Sequence, residues 1–336
     1  MPEKGSERVA ANLNRALQEL LERDDRTYLV GEDIVDPYGG AFKITRGLSG
    51  RFPDRVLSTP ISEAAIMGLA SGIALGGGAA VAEIMFGDFL MLGFDQLANF
   101  AAKTVRMYGH RVPMRMIVRA AVGGGRGYGP THSQSPQKHF IGIPDLLLME
   151  LSPFHDNVGL FEYMVDRATP CIFFENKKLY GDVMCLGDKY DGFFTVDRGA
   201  AWEPARLFID DEGTSIDCLF IAAGSAFRPA AQVAKQLFLE YEANCQVVVP
   251  SQIYPWNVAG LKPFLGRAKR VCVVEEGVPG GTWGETVAHQ IHTTMWERLR
   301  EPVRVVQSAA SPIPAAAHLE KAMLVNEEVI RAAAWS

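Results

Sequence analysis

Short apolar runs alternate with amphipathic helical segments along most of the chain. Residues 6–25 place apolar side chains at helical spacing, and the run TYLVG follows as a predicted strand. The runs AAVAEIMF, PMRMIVRA, LLLMEL and CIFFEN predict further buried strands, and Ser62 stands where a helix that runs to about Gly76 would begin. This alternation predicts a mainly parallel sheet with helices on both faces.

The alternation weakens after Leu179 into a Gly- and Asp-rich stretch and resumes near residue 216. Strands are then predicted at DCLFIAAG, CQVVVP, RVCVVEEG and PVRVVQ, with helices at 226–242, 258–269, 285–299 and 326–334. We therefore predict an α/β protein of two doubly wound domains, at residues 1–180 and 216–336, joined by a linker region at 181–215. A length of 336 residues accommodates two such domains.

Composition narrows the class of protein. Hydrophobic residues make up 48% and charged residues 21%, which excludes a disordered or fibrous chain. The net charge of −6 is spread without long runs of one sign, so no basic surface for nucleic acid is indicated. Acidic residues interrupt the apolar stretch 61–97, and the first residues lack the apolar core of a signal peptide. We therefore expect no membrane span and a cytoplasmic location.

Common catalytic and metal-binding motifs are missing from the sequence. There is no G-x-G-x-x-G after a strand, no G-x-x-x-x-G-K-[ST], no G-x-S-x-G and no cluster with metal-ligand spacing. The five cysteines are scattered and form no C-x-x-C, which indicates reduced structural thiols. The run GGGRGYG is typical either of turns with positive φ or of a loop that lets a ligand approach the backbone, and both interpretations stay open.

Three segments that occur in order carry the interpretation further. They are TPISEAAIMGLASGIALGG, AEIMFGDFLMLGFDQLANFAAKTVRM and GGGRGYGPTHSQSPQKHF. With them the chain resembles the β subunit of the E1 component of 2-oxo acid dehydrogenases, thiamine-diphosphate enzymes of the transketolase superfamily. The likeness continues through GEDIVDPYGGAFKIT, FFENKKLYG and VVEEGVPGGTWGETVA, and so covers nearly the whole chain.

The resemblance assigns roles around the aminopyrimidine of thiamine diphosphate. Glu63 matches the carboxylate that hydrogen-bonds N1′, so that the 4′-amino group can take the proton from the thiazolium C2. Phe89 matches an aromatic ring that lies against the aminopyrimidine, and Phe86 is a neighbouring candidate. The alternatives are that Glu63 merely complements the helix dipole and that either ring belongs to the ordinary core at a strand end. Glu83 needs a partner if it is buried, and its role stays open.

The resemblance also assigns a histidine. His132 matches the active-site histidine near the reacting carbon, a role that suits an imidazole because it exchanges protons near neutral pH. His139 receives no role. Glu32 matches the family's GED segment near the cofactor, and a turn-capping role for it remains equally open.

The chain also departs from the family pattern. The superfamily anchors the diphosphate and its Mg2+ through a GDG motif, and this chain has GDF, GDV and GDK but no GDG. We therefore expect no metal ligands on this chain, and the resemblance implies an α-like partner subunit that carries the diphosphate and Mg2+ site, in an α2β2 assembly. It also implies a lipoyl-bearing E2 component as a further partner. The region 162–170 does not match the family's potassium site well enough to assign ligands.

The leading hypothesis is thus an E1 β-like subunit that helps to decarboxylate a 2-oxo acid and to pass the acyl unit to a lipoyl group. A first alternative is a split transketolase-like enzyme that transfers a ketol or acyl unit, in acyloin or sugar chemistry. A second alternative is a non-catalytic scaffold subunit. The joint presence of Glu63, Phe89 and His132 favours an enzyme over the scaffold.

Overall fold

The computed structural model describes residues 7–209 and 215–335. The chain divides into two compact units. The first comprises the residues up to Val122 together with Gly142–Met184, and the second comprises Gly123–Ile141 together with the chain from Cys185 onward. No helix in the described ranges is long and apolar enough to cross a membrane.

The first unit is a parallel sheet with helices packed against it. Its strands lie in the order β5-β6-β4-β3-β1-β2, and every neighbouring pair among them is parallel. Their bounds are β1 Thr27–Gly31, β2 Val56–Ser58, β3 Ala79–Ile84, β4 Met116–Val122, β5 Leu147–Glu150 and β6 Cys171–Asn176. The helices are α1 Val9–Arg23, α2 Leu48–Arg51, α3 Glu63–Leu75, α4 Ala102–Thr104 and α5 Asn157–Asp166.

Burial in this unit follows the sequence pattern. The apolar face of α1, with Leu13 and Leu17 inaccessible to solvent, packs where the spacing predicts, and α1 lies against α5. All seven residues of β4 are buried, as expected for an inner strand of a covered parallel sheet. The first residue of the predicted helix at 6–25 lies outside the described residues.

One predicted helix of the first unit has a different form. The apolar spacing of residues 94–108 predicts a helix, and this stretch forms a π-helix at Gln96–Ala101 and the short α4, after a 3-10 helix at Gly87–Gly93. The structure shows a close approach here, because a Cβ on Gly93 would overlap the Met67 side chain. Apolar spacing predicts a helix but does not distinguish these turn types.

The second unit is built around a sheet in the order β14-β13-β10-β11-β9-β8-β7. Strands β14, β13, β10 and β11 pair in parallel with one another, whereas the pairs β11–β9, β9–β8 and β8–β7 are antiparallel. The strands of this sheet are β7 Lys189–Tyr190, β8 Phe194–Asp197, β9 Ala205–Phe208, β10 Ile216–Ala222, β11 Cys245–Val249, β13 Ala268–Val274 and β14 Arg304–Val306. The short strand β12 Gln252–Tyr254 is not part of it. The helices are α6 Phe227–Tyr241, α7 Lys262–Leu265, α8 Trp283–Met295, α9 Ala317–Met323 and α10 Glu327–Ala334.

The structure differs from our interpretation of 181–215 as a linker region. Strands β7, β8 and β9 lie in this stretch and belong to the second sheet, and residues 210–214 lie outside the described residues. These strands are two to four residues long and partly exposed, so they leave only a weak apolar signal. The predicted helix at 258–269 is also shorter, because a 3-10 helix and α7 occupy 258–265 and β13 begins at Ala268.

The predicted α/β class is confirmed, with a parallel arrangement of β1 to β6 in the first unit and a mixed sheet, parallel in one half and antiparallel in the other, in the second. Our domain boundaries differ in one further respect from the compact units. The loop Gly123–Ile141, which we placed in the first domain, groups with the second unit.

Candidate functional site

The expected cofactor-binding residues of the first unit follow the carboxyl ends of neighbouring strands. Gly31 at the end of β1 pairs with Ser58 of β2 on one side and with Glu83 of β3 on the other. The chain therefore continues from β1 to β2 on one side and then returns to β3 on the other side of β1. The carboxyl end of β1 is thus a switch point of the kind where open α/β sheets bind ligands. Glu32 directly follows β1, and Glu63 begins α3 after β2.

Two carboxylates come together at this switch point. Glu63 is 8% exposed and Glu32 is 7% exposed, and Oε2 of Glu32 has no hydrogen-bond partner among the described residues. Burial raises the pKa of Glu32, and the charges of Glu63 and then Asp33 raise it further. A buried carboxylate oxygen without a partner is costly, so this position suits a ligand that brings its own hydrogen-bonding groups.

Ser62 occupies the N-cap position of α3, but its side chain makes no capping hydrogen bond. Glu63 lies in the first turn, where backbone N–H groups without helical partners favour a negative charge. The helix-dipole role that the sequence allowed for Glu63 is thus compatible with its position, and it does not exclude a ligand-binding role.

Aromatic rings gather just beyond β3. The rings of Phe86 and Phe89 meet edge to face with centroids 6.2 Å apart, and Phe42 meets Phe86 in the same manner at 5.9 Å. The buried Lys177 places Nζ 5.8 Å from the centroid of Phe86. Both predicted aromatic residues are partly exposed rather than buried core, and they form one aromatic cluster with Phe42, which the sequence analysis did not single out.

Glu83 has a partner that sequence analysis missed. Arg119 on β4 is 2% exposed, donates Nη1 to Glu83 Oε2 at 2.8 Å, and donates Nε and Nη2 to the two oxygens of Glu175 at 2.7 and 2.9 Å. The Tyr180 hydroxyl also donates to Glu175 at 2.8 Å. Burial raises the pKa of Glu83, whereas Arg119 opposes that shift. The arginine in the otherwise apolar run MIVRAAV was the available signal, because a buried cation requires carboxylate partners.

Glu83 also approaches the loop after β1. A Cβ on Gly40, where φ is +78°, would lie 2.5 Å from Glu83 Oε1. Only glycine therefore fits this position without displacing the carboxylate. The second glycine of the segment DPYGG, part of the motif GEDIVDPYGGAFKIT, thus lies directly against the Glu83–Arg119 pair.

His132 lies in the second unit, on the loop Gly123–Ile141. Its ring is partly exposed, and Nδ1 lies 2.8 Å from the Thr131 hydroxyl. Its backbone N–H donates to Gly129 O at 3.3 Å. His139, to which the resemblance gave no role, is exposed on the same loop. Of the predicted site residues, Glu32, Glu63, Phe86 and Phe89 thus lie in the first unit. His132 lies in the second unit.

Family models match both halves of the chain. Residues 8–183 match the transketolase pyrimidine binding domain, and residues 209–330 match the transketolase C-terminal domain. A split-gene transketolase, solved as an inactive β4 tetramer, superposes with a TM-score of 0.70 at 18% identity, covering 96% of this chain and 95% of that one. That structural likeness supports the fold.

Curated relatives cover almost the full length. The mitochondrial pyruvate dehydrogenase E1 component subunit beta of Saccharomyces cerevisiae is 31% identical over 93% of this chain and 83% of its own length. The corresponding subunit of Rickettsia bellii is 30% identical over 96% of each chain. The β subunit of acetoin:2,6-dichlorophenolindophenol oxidoreductase from Cupriavidus necator is 29% identical over 96% of this chain and 94% of its own. The chain therefore belongs to the E1 β-subunit family, within the transketolase-like proteins.

Proposed function

We propose that this chain is the β subunit of a thiamine-diphosphate-dependent enzyme that acts on a 2-oxo acid together with an α-like subunit. The observation that carries the proposal is the buried pair Glu63 and Glu32 at the switch point, where Glu32 Oε2 has no partner among the described residues. The pyruvate dehydrogenase β subunits among the relatives support the same substrate class.

The residues fit the aminopyrimidine end of the cofactor. Glu63 is a buried acceptor for a hydrogen bond at N1′, and Phe86 and Phe89 offer partly exposed aromatic surface to a flat ring. The described residues offer no comparable binding site for the diphosphate end of the cofactor. The chain has no GDG motif, and amides of its glycine-rich loop already donate to Glu276 and Glu320. We therefore assign the diphosphate and its Mg2+ to the α-like subunit.

The chain's own residues would divide the work as follows. Bound thiamine diphosphate supplies a carbon nucleophile and a sink for the electron pair released on decarboxylation. Glu63 holds a hydrogen bond at N1′, which is stronger because the carboxylate is buried. Phe86 and Phe89 pack against the pyrimidine and exclude water. His132 binds the substrate carbonyl region and exchanges a proton there, then assists transfer of the acyl unit to a lipoyl acceptor.

The first test is the substitution Glu63→Gln in the complex with the α-like subunit. The amide keeps the size of the carboxylate but cannot hold the charge, so we expect kcat with 2-oxo acids to fall on the order of 10²-fold or more. Glu19→Gln, at a 43% exposed acid of the same unit, serves as the control and keeps activity. Near-normal turnover in Glu63→Gln would refute the assigned role.

The second test asks which assembly binds the cofactor. Equilibrium dialysis with thiamine diphosphate and Mg2+ should show binding by the complex with the α-like subunit and little binding by this chain alone. Tight binding by the isolated chain would contradict the half-site. Lack of binding by the intact complex would instead support the non-catalytic scaffold.

Acyloin cleavage is the second candidate reaction, because the relative from Cupriavidus necator is named for acetoin oxidation. The complex should be assayed with pyruvate, branched 2-oxo acids, acetoin and sugar phosphates, in each case with a lipoyl acceptor and with 2,6-dichlorophenolindophenol. Release of carbon dioxide from a 2-oxo acid supports the leading proposal. Turnover of acetoin without carbon dioxide supports the second candidate, and ketol exchange between sugars supports a split transketolase.

A further inference from the structure

The loop that carries His132 has an unusual backbone. Alternate glycines lie in the positive-φ region, with φ of +86° at Gly123, +89° at Gly125, +70° at Gly127 and +77° at Gly129. Such alternation turns successive N–H groups toward one side and forms a concave nest that attracts anions. A hydrogen bond from Gly123 N–H to Gln134 O at 3.2 Å closes the loop. Because His132 lies inside the closed segment, the backbone conformation of the loop determines where His132 is placed.

The anions in this nest come from the chain itself. Glu320, on α9, accepts hydrogen bonds from Gly125 N–H at 2.7 Å and from Gly127 N–H at 3.0 Å. Glu276 accepts one from Gly124 N–H at 2.6 Å. Glu320 is only 4% exposed, so these charge-assisted bonds are poorly screened by water.

Steric fit reinforces the contact between the loop and α9. A Cβ on Gly124 would lie 2.9 Å from Leu324 Cδ1, and a Cβ on Gly127 would lie 3.2 Å from Ala315 O. The other end of the loop is also held, since Lys138 Nζ donates to the carbonyls of Val278 and Pro279 at 3.1 and 3.3 Å. His132 thus lies between two fixed points within the second unit.

We propose that Glu320, assisted by Glu276, is a positioning residue that sets the conformation of the His132 loop. These carboxylates act through the loop backbone, whose N–H groups donate to them. The C-terminal part of the chain would then contribute to catalysis through the loop that carries His132. The catalytic consequence rests on the proposed function of His132, whereas the effect on the loop does not.

The direct test follows the loop in the full-length chain. Glu320→Ala removes both acceptors, and Glu320→Gln keeps one acceptor while placing an amide donor near the second N–H. We expect hydrogen exchange across 123–134 and tryptic cleavage after the exposed Arg126 to accelerate several-fold in Glu320→Ala, with Glu320→Gln in between. Glu328→Ala, at an exposed acid of α10, is the matched control and should behave as wild type. Unchanged exchange and cleavage in Glu320→Ala would overturn the proposal.

The kinetic test uses the complex with the α-like subunit. A displaced catalytic group can cost on the order of 10²-fold in rate, so we expect kcat to fall by roughly 10- to 100-fold in Glu320→Ala while thiamine diphosphate affinity is kept. In a His132→Ala background the same substitution should have little further effect, because its target is gone. Additive losses would contradict positioning through His132. Inactivity of the wild-type complex would count against the proposed function, whereas the exchange result would still test the loop.

Discussion

Arg119 is a single residue on which the buried charges of the first unit depend. Its guanidinium forms bonds with Glu83 and Glu175 in a part of the sheet that water hardly reaches. Arg119→Ala leaves both carboxylates without their cation, and removing one partner of such a buried group costs about 3–5 kcal/mol. We expect the free energy of unfolding to fall by about this amount in urea denaturation.

The control for that prediction is an exposed pair of the same unit. Arg106 pairs with Asp145 at 2.7 Å, but its side chain is 70% exposed. Arg106→Ala should therefore change the free energy of unfolding far less, since solvent screens such pairs. Equal losses for the two variants would show that the buried cluster has no special part in stability.

Glu32 should make stability depend on pH. Burial, with the charges of Glu63 and Asp33, raises its pKa, so the folded chain keeps this proton to a higher pH than the unfolded chain does. The resulting stabilisation is present below the ordinary carboxyl pKa and is lost as the pH rises through the raised pKa. Glu32→Gln cannot ionise, so its free energy of unfolding relative to wild type should increase as the pH rises above the ordinary carboxyl pKa of about 4.

Glu285 provides the opposite case in the second unit. Backbone N–H groups of Gly280 and Thr282 lower its pKa, so its stabilising effect is present above the ordinary carboxyl pKa and is lost as the pH falls. Glu285→Gln should therefore lose stability relative to wild type as the pH rises. Urea denaturation of both variants over the same pH series measures how the free energy of unfolding, relative to wild type, changes with pH. If this difference changed in the same direction for both variants, the assignment for Glu32 would be contradicted.

The sequence predicted single residues only where local pattern or motif sufficed. Glu63 at the start of a helix followed from TPISEA, and the need of Glu83 for a partner followed from its place in an apolar strand. The identity of that partner could not be predicted, because Arg119 and Glu175 come from strands β4 and β6, which only the sheet order brings beside β3. The nest that Glu320 fills was likewise hidden, since it joins segments far apart in the chain.

At the scale of elements, the start of α8 shows how local chemistry sets a boundary. Thr282 and Glu285 form a reciprocal capping box at this helix, and Thr282 is 1% exposed. Thr282→Ala removes the capping oxygen and should lower the free energy of unfolding by about 1 kcal/mol. Thr282→Ser keeps the hydroxyl and should retain most of the stability in thermal or urea unfolding. Equal losses in the two variants would assign the effect to the methyl group instead.

Elements with strong apolar periodicity were predicted well, and short edge elements were not. Strands β3, β4, β6 and β10 are buried along most of their length and appear where their apolar runs predict. The hairpin of β7 and β8 was missed, although Asp191-Gly192, with φ of +54° and +63°, is a strong turn signal between them. Its strands are so short that side-chain alternation carries little information.

For the molecule as a whole, length and alternation predicted two α/β units but not how the chain is shared between them. The loop Gly123–Ile141 leaves the first unit after β4 and packs within the second. Apolar periodicity predicts helices and strands, but it does not predict which of two units a polar, glycine-rich loop packs in. The sequence therefore could not show that this loop belongs to the second unit. The consequence is functional, because the exchanged loop carries His132 while Glu63 stays in the first unit.

Exposed apolar side chains near Glu63 provide the last prediction. Ile61, two residues before Glu63, is 79% exposed, and Leu92, in the 3-10 helix that packs on α3, is 62% exposed. Apolar side chains exposed beside a proposed half-site are typical of a surface that another subunit covers.

Ile61→Asp and Leu92→Asp should therefore weaken assembly with the α-like subunit while leaving the thermal unfolding of the isolated chain nearly unchanged. Size-exclusion chromatography with light scattering measures the assembly, and Leu239→Asp, at a 67% exposed position of α6, is the matched control. We expect the first two variants to shift toward free subunits and to lose thiamine diphosphate binding in proportion, because the half-site depends on the partner. If they assembled as well as Leu239→Asp, the partner would have to cover a different face of the chain, and the link between this surface and the site at Glu63 would be wrong.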